Sequence, residues 1–338
     1  MCLTALASLV MAVPAFCNDA PRIARWYQNF ESAVSLRFDD GLESHINAVI
    51  PLLNRYGFKA TFMVNPGMNR YRDHQDFWER QVPAMGHRLG DHTMNHRGAR
   101  DLEDAEYEIG EAARTIWRVY PKESKLIVFA SGGGGKKWGG KEWEQAGPAY
   151  RQLMEKYHLI DLYNGKHPSL VVHAKMRTDE LCDRLDRSAE VKRYQPFHFH
   201  HIGKPSLVDY LKALVRGIDL SVREETFSGF LQCITERKHR LWVAPIIDIL
   251  KYEGEVRGAT VRLLAPTWNG YTLALAVRTD PGLYDHKLTM ILPVQEGMTI
   301  MRITQDNEEM RPYQRTPGEF LIDVTPRNST ITVQFKRT

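Results

Sequence analysis

The sequence predicts an α/β domain built on a parallel sheet, followed by a small antiparallel β-sandwich. From Ala33 to about Gly258, short apolar runs alternate with longer amphipathic ones; this strand, helix, strand order lays parallel strands side by side under covering helices. After Gly258 the pattern changes to short alternating runs separated by turn residues, the signature of an antiparallel sandwich. The organisation expected is a leader over residues 1–20, an α/β domain over 21–258 and a sandwich over 259–338.

The strands expected in the first unit are 33–38, 59–64, 125–130, 159–163, 196–200 and 241–244, each a short run rich in β-branched or aromatic residues. Helices are expected over 45–56, 102–119, 149–157, 179–191 and 224–238, where apolar residues recur at spacings near three and four. In the second unit the alternating runs are 271–277, 287–294, 299–304, 320–324 and 330–335, with turns at Asn269-Gly270, Asp280-Pro281-Gly282 and Pro317-Gly318.

Composition narrows the partners. The chain has 338 residues, 43% hydrophobic and 25% charged, and its net charge of +4 is scattered rather than gathered into arms, so a nucleic-acid partner is not expected. The apolar run from Leu3 to Phe16 is too short to span a bilayer and ends in Val13-Pro14-Ala15, which reads as an export signal; a buried N-terminal helix is the alternative, because no Lys or Arg precedes the run. Phe16 before Cys17 argues against a lipid anchor. Cys182 and Cys233 show no metal-ligand spacing, and their pairing is open at this level.

Two polar motifs carry the chemistry. Phe38-Asp39-Asp40-Gly41 closes the first strand, and His92-Thr93-Met94-Asn95-His96 follows later. Active sites of α/β folds are built where strands hand over to loops. A hydrolytic metal site commonly uses three protein ligands, and two imidazoles with one carboxylate suit zinc or a similar first-row ion. His92 and His96, four apart, can face one centre, and Asp40 completes the set. Such a metal acidifies water and polarises a carbonyl, while Asp39 can take the proton.

In these residues the chain resembles the polysaccharide deacetylases, the NodB-type homology domain of carbohydrate esterase family 4. The family pattern T-F-D-D-G appears as Arg37-Phe38-Asp39-Asp40-Gly41, with Arg for Thr, and H-S/T-x-x-H is matched by His92 to His96. The resemblance spans roughly Ser35 to Gly258. It implies an incomplete (β/α) barrel, a divalent metal on Asp40, His92 and His96, Asp39 as catalytic base, and removal of acetyl groups from a glycan. The family's last motif matches Pro196-Phe197-His198-Phe199-His200-His201-Ile202-Gly203, which places the acid at His200 in preference to His201; on an alternating strand His198 and His200 share a face and His201 opposes them.

The third family motif normally supplies an arginine that orients the base and a backbone N–H for the oxyanion. The corresponding stretch, Val128 to Gly135, has neither Arg nor Tyr, so Asp39 is expected to lack its arginine partner, while glycine N–H groups near Gly132 can still serve as donors. Gly135 to Glu142 is one residue from a phosphate-binding loop, but Glu142 stands where Ser or Thr would meet magnesium; the segment reads instead as a loop in which Trp138 and Trp143 flank a sugar ring or pack. For the aspartate that tunes the catalytic histidine, Asp161 is the nearest option, with a solvated strand-end carboxylate as the alternative. The function expected is a secreted or periplasmic zinc hydrolase removing N- or O-linked acetyl groups from a carbohydrate, with no membrane span. A carbohydrate-binding protein that has lost catalysis and a hydrolase of non-sugar amides are the other readings.

Overall fold

A computed structural model describes residues 20–338 apart from 133–136, 139–140, 143–146, 164, 205–216, 218, 268, 295 and 317–318; of residues 137–138 and 141–142 only the backbone is described. The leader over 1–19 lies outside the described residues. The strands are β1 (Arg22–Ile23), β2 (Ser32–Asp39), β3 (Thr61–Val64), β4 (Arg88–Asp91), β5 (Ile127–Phe129), β6 (Lys137–Trp138), β7 (Lys141–Glu142), β8 (Leu159–Asp161), β9 (Leu170–Val171), β10 (Gln195–Phe199) and β11 (Leu241–Val243). The main sheet runs β8-β5-β4-β3-β2-β10-β9, all parallel, and β11 pairs with the first residues of β2. It is curled and open, an incomplete (β/α) barrel.

β2 lies inside that sheet, paired with β3, β10 and β11, and all eight of its residues are buried. Its two faces differ. Leu36 and Phe38 enter the core formed with the outer helices, which draws on Leu53, Ile109, Ile116, Leu185 and Phe227. A second core, of Met63, Leu126, Val128 and Ala130, is closed by Ile246, Ile247 and Leu250 of the helix Ile246–Gly258. That helix was not anticipated, because it buries Ile246, Ile247, Ile249, Leu250 and Tyr252 in two cores at once and so lacks a one-sided apolar stripe. β4 was also missed; Arg-Leu-Gly-Asp has almost no β-forming residues and pairs only because its neighbours hold it.

The C-terminal strands are β12 (Ala259–Thr267), β13 (Gly270–Val277), β14 (Leu288–Pro293), β15 (Met298–Gln305), β16 (Glu308–Met310), β17 (Glu319–Val324) and β18 (Ser329–Arg337). They form an antiparallel sheet β12-β13-β18-β15-β16 and a second sheet in which β1 joins β14 and β17. The segment before β2 is thus woven into the sandwich: Trp26 enters its core beside Leu273, Met290 and Ile331, and Tyr252 donates to Ala24 O at 2.8 Å. Cys182 and Cys233, whose pairing the sequence left open, form a disulfide between the helices Thr178–Glu190 and Glu224–Glu236, with Cα atoms 5.9 Å apart. No described helix is long and apolar enough to cross a membrane.

Candidate active site

The register of three strands positions the site. Phe38 of β2 pairs with Phe62 of β3 and Phe199 of β10, and its ring stacks on each at 5.3 Å. Because side chains alternate along a strand, this aromatic row commits the opposite face to Arg37 and Asp39, with His198 directly across from Arg37. A slip of one residue would bury the carboxylates in the outer core and present the phenylalanines to the site.

Asp39 does have an arginine partner, and the expectation that it lacks one is corrected. Arg37 Nε donates to Asp39 Oδ1 at 2.6 Å and Arg37 Nη2 to Asp39 Oδ2 at 2.5 Å, a forked pair with both side chains 1% exposed. Two residues apart on one strand, the groups share a face, so the alternation already present in the sequence was the signal that could have found it. The residue that departs from the family's first motif supplies the charge that the third motif lacks. Tyr163, in the turn after β8, covers the pair: Arg37 Nη2 donates to its hydroxyl at 3.2 Å and the guanidinium lies 5.4 Å from its ring centre. Burial pushes the Asp39 carboxyl up, but the charge of Arg37, with His198 and His92, outweighs this and holds it well below the usual carboxylate range.

Asp40, His92 and His96 converge as their spacing suggested. Asp40 Oδ1 lies 3.3 Å from His92 Nε2 and 2.7 Å from His96 Nε2, yet it is buried and makes no well-aligned hydrogen bond. With their ligand atoms all within 4.8 Å of one another, these three residues can hold a cation, and two imidazoles with a carboxylate match a zinc-type ion. The histidine tautomer agrees: Ala130 O can only accept, so His92 Nδ1 at 2.8 Å carries the proton and Nε2 presents its lone pair to the site. Asp40, Thr93 and His96 sit at φ 82°, 68° and 55°, left-handed conformations that cost energy for residues with a Cβ and recur at functional sites. The loop is held against that cost by Glu108, fully buried, which accepts from Asn95 N at 2.8 Å and Asn95 Nδ2 at 2.7 Å. A Cβ at Gly132 would lie 2.7 Å from both His92 O and His96 Cδ2, so only glycine lets this backbone come so close.

His200 follows β10 and is anchored through its backbone: His45 Nε2 donates to His200 O at 2.7 Å while His45 Nδ1 accepts from Leu42 N at 3.2 Å. This ties the loop after Asp40 to the end of β10, and burial, which lowers the His45 pKa to about 4, keeps that imidazole neutral as its two roles require. The His198 and His200 rings lie 4.5 Å apart on the predicted shared face, and His198 Nε2 is 2.9 Å from Asp39 Oδ2. Asp39, His198 and His200 could also group around a cation. Arg37 argues against it, because the guanidinium already occupies both carboxylate oxygens and would repel a second positive ion.

His201 points elsewhere, its Nε2 2.9 Å from Lys204 O. Asp161 does not tune His200; it accepts from Tyr150 OH at 2.7 Å and from Tyr163 N at 2.8 Å, shaping the turn that carries Tyr163 onto Arg37. Gly133 to Gly135, Trp143 and the side chain of Trp138 lie outside the described residues.

Part of the chain is similar to known proteins. Residues 28–141 match the polysaccharide deacetylase family model. A peptidoglycan-N-acetylglucosamine deacetylase of Bacillus cereus is 35% identical over 81 residues, 24% of this chain and 37% of that protein. A chitooligosaccharide deacetylase of Azorhizobium caulinodans is 30% identical over 99 residues, 28% of this chain and 45% of that protein. A gellan lyase of a Bacillus species is 21% identical over 92% of this chain but only 13% of its own length. The chain thus spans less than half of each of these relatives. Among solved structures, a family 4 acetyl xylan esterase from Clostridium thermocellum with a cobalt ion aligns at a TM-score of 0.40 and 17% identity, over 65% of this chain and 92% of that one. A CE4 family pseudoenzyme from Bacillus anthracis aligns at 0.40 and 12%, over 66% of each. Residues 28–141, which hold both motifs, are thus the part of the chain that matches the polysaccharide deacetylase family.

Proposed function

We propose that the protein is a metal-dependent hydrolase that removes N- or O-linked acetyl groups from a glycan. The observation that carries this is the adjacency of two distinct sets: Asp40, His92 and His96 with ligand atoms in one space, and Asp39 beside them held by Arg37. A divalent ion on the first set, zinc being the best match to its donors, would supply Lewis-acid polarisation of the acetyl carbonyl and acidify water. Arg37 holds Asp39 in one orientation as the anion, ready to take the proton of the attacking water at a carboxylate oxygen. The Gly132 backbone packs against the His92–His96 loop, and its N–H would be the donor for the developing oxyanion. His200, less buried than His198, would pass a proton to the departing amine or hydroxyl, leaving acetate as the second product; burial, with His198 beside it, lowers its pKa to about 3, so it holds that proton only during the transfer.

A reading in which catalysis is lost would follow if Asp39 had no arginine partner, and Arg37 is such a partner. The Cys182–Cys233 disulfide supports an oxidising compartment, in keeping with the export segment read in residues 1–20. The test is acetate release from a panel of acetylated glycans, with zinc or cobalt added and after chelation. Release should require metal and fall by about 10²-fold or more in Asp39→Asn and His92→Ala; full activity in either variant, or in chelator, refutes the assignment.

A further inference from the structure

The basic residues that look scattered in the sequence are not scattered in space. At the N-terminal end of β10 a groove of about 700 Å³ is lined by five basic side chains, Arg25, Lys166, Arg184, Arg187 and Arg193, against two acidic ones, Glu190 and Glu253. That is a local excess of three positive charges. Glu253 is already engaged, 2.8 Å from His167 Nε2 and 3.5 Å from Arg257. Among the described residues, Arg25, Arg184, Arg187 and Arg193 have no carboxylate within ion-pair distance; Arg25 lies over Trp26 and Arg187 donates to its own helix at Asp183 O. All four are exposed.

We infer that this groove binds a carboxylate-bearing glycan, a polyuronate segment, away from the acetyl-hydrolysing centre. Unpaired guanidinium forks match carboxylates in geometry and charge. Arg184 and Arg187 stand one turn apart on the helix Thr178–Glu190, where Cβ atoms are about 5–6 Å apart, close to the repeat of successive sugars in a chain. A nucleic-acid strand fits less well, since the tryptophan of the groove, Trp26, is 3% exposed and offers no stacking face. The groove also adjoins a second cavity. Lys166, His167, Tyr194 and Glu253 line both the groove and that cavity of about 260 Å³ along the open seam of the barrel, which reaches Asp161. Asp161 is the residue whose turn places Tyr163 on Arg37. A polymer held in the groove would therefore present its neighbouring sugars along the seam.

The glycan character of the ligand rests on the deacetylase reading, but the test does not use catalysis. Binding of oligogalacturonate to the full chain would be measured by calorimetry at 50 and 500 mM NaCl, beside neutral xylooligosaccharide, poly(glycerol phosphate) and single-stranded DNA. The expected result is oligogalacturonate binding that weakens at high salt, little binding of the neutral sugar, and a loss of about tenfold or more in Arg184→Ala/Arg187→Ala/Arg193→Ala. Those substitutions lie on exposed side chains, so thermal unfolding and acetate release from a neutral acetylated glycan should match the parent. No binding, equal binding in the triple variant, or tighter binding of poly(glycerol phosphate) or DNA than of oligogalacturonate would overturn the inference. Failure there with metal-dependent acetate release intact would leave the proposed reaction standing, and the converse would separate them equally.

Discussion

Replacing Arg37 with Met is the most revealing single change, because it removes the partner and keeps much of the volume. Asp39 is 1% exposed, and both its oxygens are bonded to the guanidinium. Breaking a buried pair from one side leaves an unpaired buried charge, which costs about 3–5 kcal/mol. The sign with pH follows. In the parent the Asp39 carboxyl is held well below its ordinary range, so its contribution is present above the unfolded carboxylate pKa and is lost as pH falls through the folded one. In Arg37→Met burial is no longer opposed by the arginine, the Asp39 pKa rises, and the variant's deficit grows from acid toward neutral pH. The acidic limb of kcat/KM should move up with it, and the rate at neutral pH should fall by about 10²-fold or more as the base loses both charge and orientation. Arg37→Lys should fall between the two, since an ammonium cannot fork across both oxygens. Urea unfolding across pH, with the pH profile of acetate release, reads all of these. A loss below about 1 kcal/mol with an unmoved acidic limb would refute the role given to Arg37.

Two further outcomes concern stability. Glu255 is fully buried; burial, with Asp285 nearby, pushes its carboxyl up to about 8 although His286 N donates to it at 2.9 Å. The folded state therefore holds a proton that the unfolded state releases above about pH 4.5, and stability drains as pH rises from there to 8. Glu255→Gln should match the parent in acid and exceed it by about 2–3 kcal/mol at pH 8, an amount discounted for partial screening; an equal or lower unfolding midpoint at pH 8 would contradict this. Opening the Cys182–Cys233 link, which closes a loop with a sequence separation of 51, should lower stability by about 3–4 kcal/mol in Cys182→Ser/Cys233→Ser, and an unchanged denaturant midpoint would show that the link carries no weight.

Much of the fold was legible in sequence because it rests on local pattern. The alternation over residues 33–38 announces β2, and the period near three and four over 102–119 announces the helix that carries Glu108. Elements shaped by their surroundings were not legible. Arg88–Asp91 is a strand only because β3 and β5 flank it, and Ile246–Gly258 hides its periodicity by serving two cores. The candidate site divides in the same way. Asp39, Asp40, His92 and His96 were readable because short motifs keep them close in sequence.

The contacts that complete the site span large separations. Tyr163 reaches Arg37 across 126 residues, and His45 reaches His200 across 155. Arg37 is the instructive exception, since its position was written two residues before Asp39, but a charge on a buried strand has no assigned partner until the neighbouring strands show which face is dry. The sequence by itself determined the strand that carries the two aspartates, the spacing of the two histidines and the change from α/β to antiparallel architecture, because these depend on side-chain period and on residues a few positions apart. Only the tertiary structure decided that Arg37 pairs with Asp39, that Tyr163 covers the pair, and that four arginines gather at one groove. Tyr163 with Arg37, and Arg25 with the other three arginines, are juxtapositions of residues distant in the chain, while the Arg37–Asp39 pair, local in sequence, needed the Phe62, Phe38 and Phe199 register to show which face of β2 is left for the site.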